Sequence, residues 1–243
     1  MHKRLWIILA VIASAVVLAV VLGTLFSIGG IDVNTTNDIT LSAEQKLEII
    51  EISQIKKGKN ILSIDESIAI SNIELNQPEL KVISIERKFP NKVVIYVTKR
   101  TAVFSCKMED GRYAILDREL KVIAISNNEN YSLTSLSGLD EEIELGQVVN
   151  FKNGLFAKMI KGAERCSFIN ERFCAFFPQV DIYEDYINLT TNSGVIMQIP
   201  MSSNIDESVI GCYNFYLNKT SSVGKSSGII RLKDSGWKWE PTD

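Results

Sequence analysis

The sequence predicts an α+β protein with an N-terminal transmembrane helix, a small β-α-α-β-β domain and a larger mixed, β-rich domain with packed helices. Three observations support this: an uncharged apolar run near the start, two helix-capping patterns followed by alternating apolar residues, and many short alternating segments in the rest of the chain. The predicted division is a short cytoplasmic end at 1–4, the transmembrane helix at 5–28, the small domain at 32–100, the β domain at 101–233 and a C-terminal tail at 234–243.

The apolar run extends from Leu5 to Ile31 without a charged residue. About 22 residues of helix span roughly 33 Å, which matches a bilayer core of about 30 Å. Lys3 and Arg4 precede the run, so the N-terminus is expected in the cytoplasm and the remaining domains outside the cell. A cleaved signal peptide is the alternative, but its apolar region is normally shorter. We therefore expect a single-pass protein of the cell membrane.

The small domain is predicted from two helix starts and two strands. Residues 42–45 have the spacing of a capping box, and the sequence from Ser63 to Glu66 repeats the same pattern. From 81 to 100, apolar residues alternate with more polar ones on both sides of a proline-containing turn, which is typical of a hairpin. A short strand within 31–41 completes the order β-α-α-β-β.

The larger domain is predicted from short strands separated by turns, with two amphipathic helices among them. The helices are expected around 155–163 and 205–216. The predicted strands are 113–116, 122–126, 180–183, 187–191, 195–199 and 229–232. Trp237 and Trp239 follow the last strand in the tail.

Composition excludes several classes of function. The chain has 26 basic and 29 acidic residues and a net charge of −3, so it has no basic excess for binding nucleic acid. His2 is the only histidine, which excludes histidine-dependent catalytic triads and zinc sites from the folded part. The acidic run 140–144 is interpreted as a solvated loop. We expect no enzyme activity, no cofactor and no metal.

The cysteines leave two interpretations open. Cys106, Cys166, Cys174 and Cys212 lie in a domain expected outside the cell, where a disulfide is permitted. Free cysteines are also common as small buried residues, and Cys166 and Cys212 fall on apolar helix faces. The favoured interpretation is that they are core residues; one disulfide is the alternative.

A set of residues between Ile55 and Arg100 resembles the POTRA domain of the FtsQ/DivIB family. The family pattern has a glycine-x-asparagine step, a helix, a proline and a hairpin containing arginine and proline. The matching positions are Gly58, Asn60, Ile61, Pro78, Ile85, Arg87, Pro90, Ile95 and Val97. The resemblance therefore identifies 32–100 as a POTRA domain, with Gly58, Asn60, Pro78, Arg87 and Pro90 as its motif residues.

The resemblance continues through the larger domain. Asp117 lies where the family has an aspartate-glycine step, residues 133–138 are similar to its L-P-x-L-T-G segment, and the last strands are also similar. The chain departs from the family pattern at Lys99, Thr101, Glu119 and Thr134. These departures indicate a divergent version of the family pattern.

The resemblance implies a membrane-anchored division scaffold. Such a protein binds FtsL-like and DivIC/FtsB-like single-span division proteins and helps to regulate septal wall synthesis, with no small-molecule substrate. Two alternatives from other classes are an extracytoplasmic ligand sensor and a wall-modifying enzyme. Neither alternative has a motif in this sequence.

The predicted partner-binding residues are Ile229, Ile230, Arg231, Leu232 and Trp237. An exposed strand at the edge of a sheet accepts a partner strand through main-chain hydrogen bonds. The alternative is that 229–232 pairs internally and the tryptophans pack in the core. The resemblance favours the edge, because the partner of DivIC/FtsB type adds to the C-terminal strands in this family.

Overall fold

The computed structural model describes residues 2–36, 39–139, 143–149, 154–166, 173–223 and 227–241. The chain divides into two compact units, residues 1–100 and residues 101–243. Each unit contains helices and a sheet with its own buried core. The predicted α+β class is confirmed.

The first unit contains the predicted order β-α-α-β-β after an N-terminal helix. Its elements are α1 (His2–Leu25), β1 (Gly30–Thr35), α2 (Ala43–Ile52), a 3-10 turn (Ile61–Ser63), α3 (Glu66–Asn76), β2 (Leu80–Lys88) and β3 (Lys92–Lys99). The transmembrane helix predicted at 5–28 is not found in the part of the chain that the structure describes. Within the described residues, no helix meets the combined requirement of length and apolar character for crossing a bilayer.

The helix starts are set by local hydrogen bonds. The predicted capping box is confirmed at α2, where the Ser42 hydroxyl accepts from the Gln45 amide at 3.2 Å and the Gln45 side chain accepts from the Ser42 amide at 2.9 Å. The predicted cap at Ser63 is wrong: Asp65 caps α3, accepting from the amides of Ser67 and Ile68 at 3.1 and 3.2 Å. A carboxylate one residue before the helix reaches these amides directly.

The sheet of the first unit has the order β1-β3-β2, with β1 parallel and β2 antiparallel to β3. Alternate residues of β1 and β3 point to one face of the sheet. Helices α2 and α3 cover that face, with Ile49, Ala69 and Ile73 buried. Burying this apolar face stabilises the domain, because each large aliphatic side chain contributes about 1.5–3 kcal/mol.

Within its described residues, the second unit contains nine strands and three helices. Its strands are β4 (Phe104–Lys107), β5 (Tyr113–Leu116), β6 (Val122–Ser126), β7 (Thr134–Ser137), β8 (Gln179–Ile182), β9 (Tyr186–Thr190), β10 (Val195–Pro200), β11 (Gly228–Lys233) and β12 (Gly236–Pro241). Its helices are α4 (Leu155–Glu164), α5 (Phe173–Phe176) and α6 (Ile205–Val223).

The nine strands form one mixed sheet in the order β12-β11-β10-β9-β8-β7-β4-β5-β6. Along β10, Val195, Met197 and Ile199 are buried, while Ile196 and Gln198 are half-buried. Helix α6 packs against β10 and β11, and α4 packs against α6. The alternation of burial arises because successive side chains of a strand point to opposite faces.

The structure corrects the prediction made from sequence for the C-terminal end of the chain. Residues 234–243 were predicted as a tail, but Gly236–Pro241 form β12, which pairs antiparallel with β11 through a two-residue connection. Ile229–Leu232 therefore lie in an interior strand between β10 and β12. The physical reason is the alternation Trp-Lys-Trp-Glu after a turn containing Gly236 at φ 102°, which continues the sheet by a hairpin.

Candidate interaction surfaces

The hairpin of β11 and β12 places the predicted partner-binding residues on both faces of the sheet. Ile230 lies opposite Trp239 and Leu232 lies opposite Trp237 on one face, while Ile229 and Arg231 belong to the other. Ile230 is 1% exposed and Leu232 is 48% exposed. The five predicted residues therefore do not form one exposed surface.

The tryptophans of β12 pack against the domain. A methyl group on Gly211 of α6 would lie 2.8 Å from Trp237 Nε1, and one on Gly228 would lie 2.4 Å from Trp239 Nε1. The Lys219 ammonium lies 5.6 Å from the centre of the Trp239 ring. Trp237, predicted to bind a partner, is half-buried and covers α6, because glycine at these positions leaves room for the indole rings.

The opposite face of the hairpin is charged. Arg231 Nε lies 3.4 Å from Glu240 Oε2, and Lys233 also pairs with Glu240. The hydrogen bond from Lys233 lowers the pKa of Glu240, with smaller contributions from nearby positive charges. Exposed ion pairs contribute little to stability, so these charges affect the solubility and selectivity of the surface more than its folding.

The two edges of the nine-stranded sheet differ. Along the β6 edge, Val122 N donates to Gln147 O and Val149 N donates to Leu120 O, at 2.9 and 3.0 Å. The segment 146–149 thereby covers the start of this edge. Among the described residues, no strand pairs with the outer side of β12. Free main-chain groups of an exposed edge strand accept a further strand. Over the residues that the structure describes, β12 presents such groups along its whole length, whereas β6 presents them only beyond Val122.

The POTRA motif residues Gly58 and Asn60 join the domain to the segment that follows α1. Gly58 has φ +83°, and its amide donates to Ile28 O at 2.8 Å. Asn60 caps the 3-10 turn by accepting from Leu62 N at 2.9 Å and forms a bridge with Ser27. The left-handed conformation explains the glycine, since a side chain is strained there.

Arg87 holds the loop between the 3-10 turn and α3. Its Nε donates to Ile61 O at 3.1 Å, its Nη2 donates to Ile64 O at 3.0 Å, and its Nη1 pairs with Glu66. The Phe89–Pro90 peptide bond is cis, in the turn between β2 and β3. Pro78 is buried after α3, at the other end of the sheet. The structure thus brings four of the five motif residues to one end of the domain.

We expect Arg87→Ala to lower the free energy of unfolding of the POTRA domain by about 2–3 kcal/mol, because charged donors to carbonyl groups contribute about 1.5–3 kcal/mol. Arg87→Lys should restore less than half of the loss, since an ammonium lacks the planar fork that reaches both carbonyls. Chemical denaturation measures both. Full restoration by lysine would contradict the proposed geometry.

The sequence did not reveal a buried ion pair at the opposite end of the POTRA sheet. Arg100 is 8% exposed, its Nη2 lies 2.6 Å from Glu74 Oε2, and its Nε donates to Leu80 O at 3.2 Å. Glu74 also accepts from Val82 N at 3.0 Å. Nothing in the sequence around Arg100 and Glu74 distinguishes these two residues from the neighbouring charged residues that are exposed.

All four cysteines are free thiols. Cys106, Cys166 and Cys212 are buried and Cys174 is half-buried. Burial raises the pKa of Cys106 to about 11 and that of Cys166 to about 11, and it raises the pKa of Cys212 as well. Buried thiols held neutral are poor nucleophiles. In the described part of the chain, no three histidine, cysteine or acidic residues cluster as metal ligands.

The first unit is a β-α-α-β-β domain in which Gly58, Asn60, Arg87 and Pro90 lie together at one end. These features define a POTRA-containing protein. The family model of the POTRA domain, FtsQ-type, matches residues 28–100. Several curated relatives are named cell division protein DivIB or cell division protein FtsQ. Residues 28–100 therefore match the FtsQ-type POTRA domain, and the chain is similar to proteins of the FtsQ/DivIB family.

The relatives differ in how much of the chain they match. DivIB of Clostridium botulinum strain Hall is 31% identical over 113 residues, which are 46% of this chain and 44% of that protein. DivIB of Clostridium tetani is 22% identical over 195 residues, covering 79% of this chain and 72% of the relative. FtsQ of Corynebacterium glutamicum is 28% identical over 147 residues, covering 58% and 62%. The chain spans less than half of the length of the first of these relatives.

Proposed function

We propose that this protein acts in bacterial cell division as a non-catalytic, membrane-anchored scaffold. It binds FtsL-like and DivIC/FtsB-like division proteins and thereby helps to regulate septal wall synthesis. The names of its relatives support the division role. The observation that supports binding most directly is the β12 edge, which no described strand covers.

A partner strand adds to β12 in this proposal. Because the hydrogen bonds of a strand alternate in direction, roughly half of the main-chain groups of Gly236–Pro241 point away from β11. A partner segment pairs with these groups, and alternate side chains provide selectivity. Lys238 is exposed on this strand, whereas Ile229–Leu232 lie one strand further in. Leu232 remains the exposed member of the predicted set.

A membrane anchor raises the effective concentration of both partners. The uncharged run from Leu5 to Ile31 and the preceding Lys3 and Arg4 support an anchor with a cytoplasmic N-terminus. Apolar side chains of α1 are exposed, including Trp6, Val16 and Val20. Confinement to one surface converts weak contacts into a stable assembly, since the second contact then forms within a complex. The anchor rests on the sequence.

Site-specific photocrosslinking in dividing cells tests the edge. A photoreactive amino acid replacing Lys238 is expected to crosslink to the DivIC/FtsB-like partner, because this side chain lies beside the added strand. The control position is Ala124, an exposed residue of β6 at the opposite edge of the same sheet. Alkaline extraction of the same membranes tests the anchor, since an embedded chain stays in the membrane fraction.

The expected result is at least tenfold more partner crosslinked at residue 238 than at residue 124 in membranes that retain the protein. Equal crosslinking at both positions, or crosslinking at residue 124 alone, would reject strand addition at β12. Release of the protein by alkaline extraction would reject the membrane anchor. The assignment of β12 as the binding edge would still be decided by the crosslinking result.

A further inference from the structure

The segment that follows α1 is hydrogen-bonded into one end of the POTRA domain. Phe26 O accepts from Ile61 N and Ile28 N donates to Lys59 O, both at 2.8 Å. Gly29 N donates to Asn91 O, also at 2.8 Å. The ring of Phe26 packs edge-on against Phe89, with centroids 5.8 Å apart. The loops at 56–62 and 88–92 are therefore tied to the residues that leave α1.

These loops present an exposed basic and apolar surface, which we name the juxtamembrane surface. Its members are Lys56, Lys57, Lys59, Leu62 and Phe89. Leu62 is 61% exposed and Phe89 is 57% exposed, although both are large apolar side chains. Lysine beside exposed apolar residues is the composition that favours contact with a lipid headgroup region.

The three lysines of this surface are available to external anions. Within the described residues none of their ammonium groups takes part in an ion pair, whereas Lys88 pairs with Glu86 and Lys92 pairs with Asp32. Asp65 lines the same depression as Lys56 and Lys59, and its carboxylate, which accepts from Ser67 and Ile68 at the start of α3, sets one negative charge against the three lysines. The surface therefore has a local positive charge in a chain whose net charge is −3.

The distance from α1 places this charge within reach of lipid. Ile28, which bonds Lys59, is the third residue after Leu25, the last residue of α1. Three extended residues span at most about 11 Å. A lysine side chain extends several ångström further, and electrostatic attraction acts over about 8 Å at physiological ionic strength. If α1 lies in a bilayer, Lys59 and its neighbours lie beside the headgroups.

We propose that the juxtamembrane surface binds a membrane surface rich in anionic phospholipid headgroups and so fixes the POTRA domain against the bilayer. This inference rests on the membrane anchor proposed above. The lysines supply the attraction to lipid phosphates, and Leu62 and Phe89 insert at the headgroup boundary. The contact holds the POTRA domain in one orientation at the membrane.

The test uses the full chain reconstituted into vesicles, with an environment-sensitive fluorophore on Leu62→Cys in a Cys174→Ser background. The other three cysteines are buried and label slowly. We compare vesicles of phosphatidylcholine alone with vesicles containing phosphatidylglycerol. Since one lysine beside an anionic surface is worth about a fivefold change in partition, we expect the ratio of docked to undocked domain to rise at least tenfold with the anionic lipid.

Two variants separate the named lysines from overall charge. Lys56→Gln with Lys57→Gln and Lys59→Gln should abolish the dependence on anionic lipid. The control, Lys99→Gln with Lys107→Gln and Lys158→Gln, removes the same charge elsewhere and should retain it. High salt should also remove the effect, because it shortens the screening distance. Equal loss in both triple variants would overturn the assignment of the surface.

Flotation and added inorganic phosphate complete the experiment. A chain that floats with both vesicle types but shows the same fluorescence in each overturns lipid binding and leaves the anchor intact. A chain that floats with neither overturns both proposals. Reversal by inorganic phosphate at constant ionic strength overturns the lipid surface in favour of a phosphate site. Flotation with both and a phosphate-insensitive change only in anionic vesicles supports the inference.

Discussion

Ile230→Lys is expected to lower the free energy of unfolding of the β domain by about 5 kcal/mol, which is comparable with the whole stability of many domains. Ile230 is 1% exposed and its neighbour across the hairpin is Trp239, so lysine replaces an apolar side chain in the core. The ammonium either loses its proton or disrupts the packing to reach water, and both cost several kcal/mol. Denaturant titration followed by tryptophan fluorescence measures the change.

Leu232→Lys is the matched control on the same strand. Leu232 is 48% exposed near the end of β11, so a lysine there keeps its charge in water, and we expect a change within about 1 kcal/mol. The sequence predicts both residues on one exposed edge, whereas the structure buries Ile230 and exposes Leu232. The pair of variants therefore also tests the predicted edge against the observed burial. Similar effects of the two substitutions would contradict the interior position of Ile230.

Gly138→Ala should destabilise the β domain by about 3–5 kcal/mol, the sum of conformational strain and steric overlap. Gly138 has φ +81°, and a methyl group there would lie 2.0 Å from Ile182 O. The contact is to backbone at the end of β8, so no side-chain rotation relieves it. Gly138 ends the segment 133–138, which resembles the L-P-x-L-T-G segment of the FtsQ/DivIB family.

Gly111→Ala separates the two causes of this loss. Gly111 has φ +86°, but a methyl group at this position meets nothing within 4 Å. Its substitution should therefore cost only the strain of the left-handed conformation, about 1–2 kcal/mol. The difference in unfolding free energy between the two variants measures the overlap at Ile182. Equal losses would show that the backbone at β7 and β8 moves apart without cost.

Patterns confined to a few neighbouring residues predicted most of the POTRA domain. The capping box at Ser42, the end of a helix before Pro78 and the alternation in β3 each depend on contacts close in the chain. The same reasoning placed the cap of α3 at Ser63 instead of Asp65, because both residues have suitable side chains. It also missed the Arg100–Glu74 pair, whose partners are 26 residues apart.

For the candidate binding surface, the sequence predicted the exposed edge at 229–232, whereas the strand at that edge of the sheet is β12. The alternation in 237–240 is visible in the sequence, but it does not reveal whether this segment pairs with β11 or packs as a tail. The covered start of β6 was also not predicted, because it depends on the segment 146–149 returning to Leu120 and Val122. Both features arise from pairing between segments that local periodicity does not specify.

The amino-acid sequence by itself showed the uncharged apolar run and the family resemblance. It also predicted the α+β class and the order of elements in residues 30–100. These follow from charge, periodicity and capping, which are properties of short stretches. The pairing of distant segments was needed to show that β12 rather than β11 is the strand at its end of the sheet, that Ile230 is buried, and that Gly58 and Asn60 join the POTRA domain to the segment after α1. The reason is physical: burial and edge position depend on which distant segments pair.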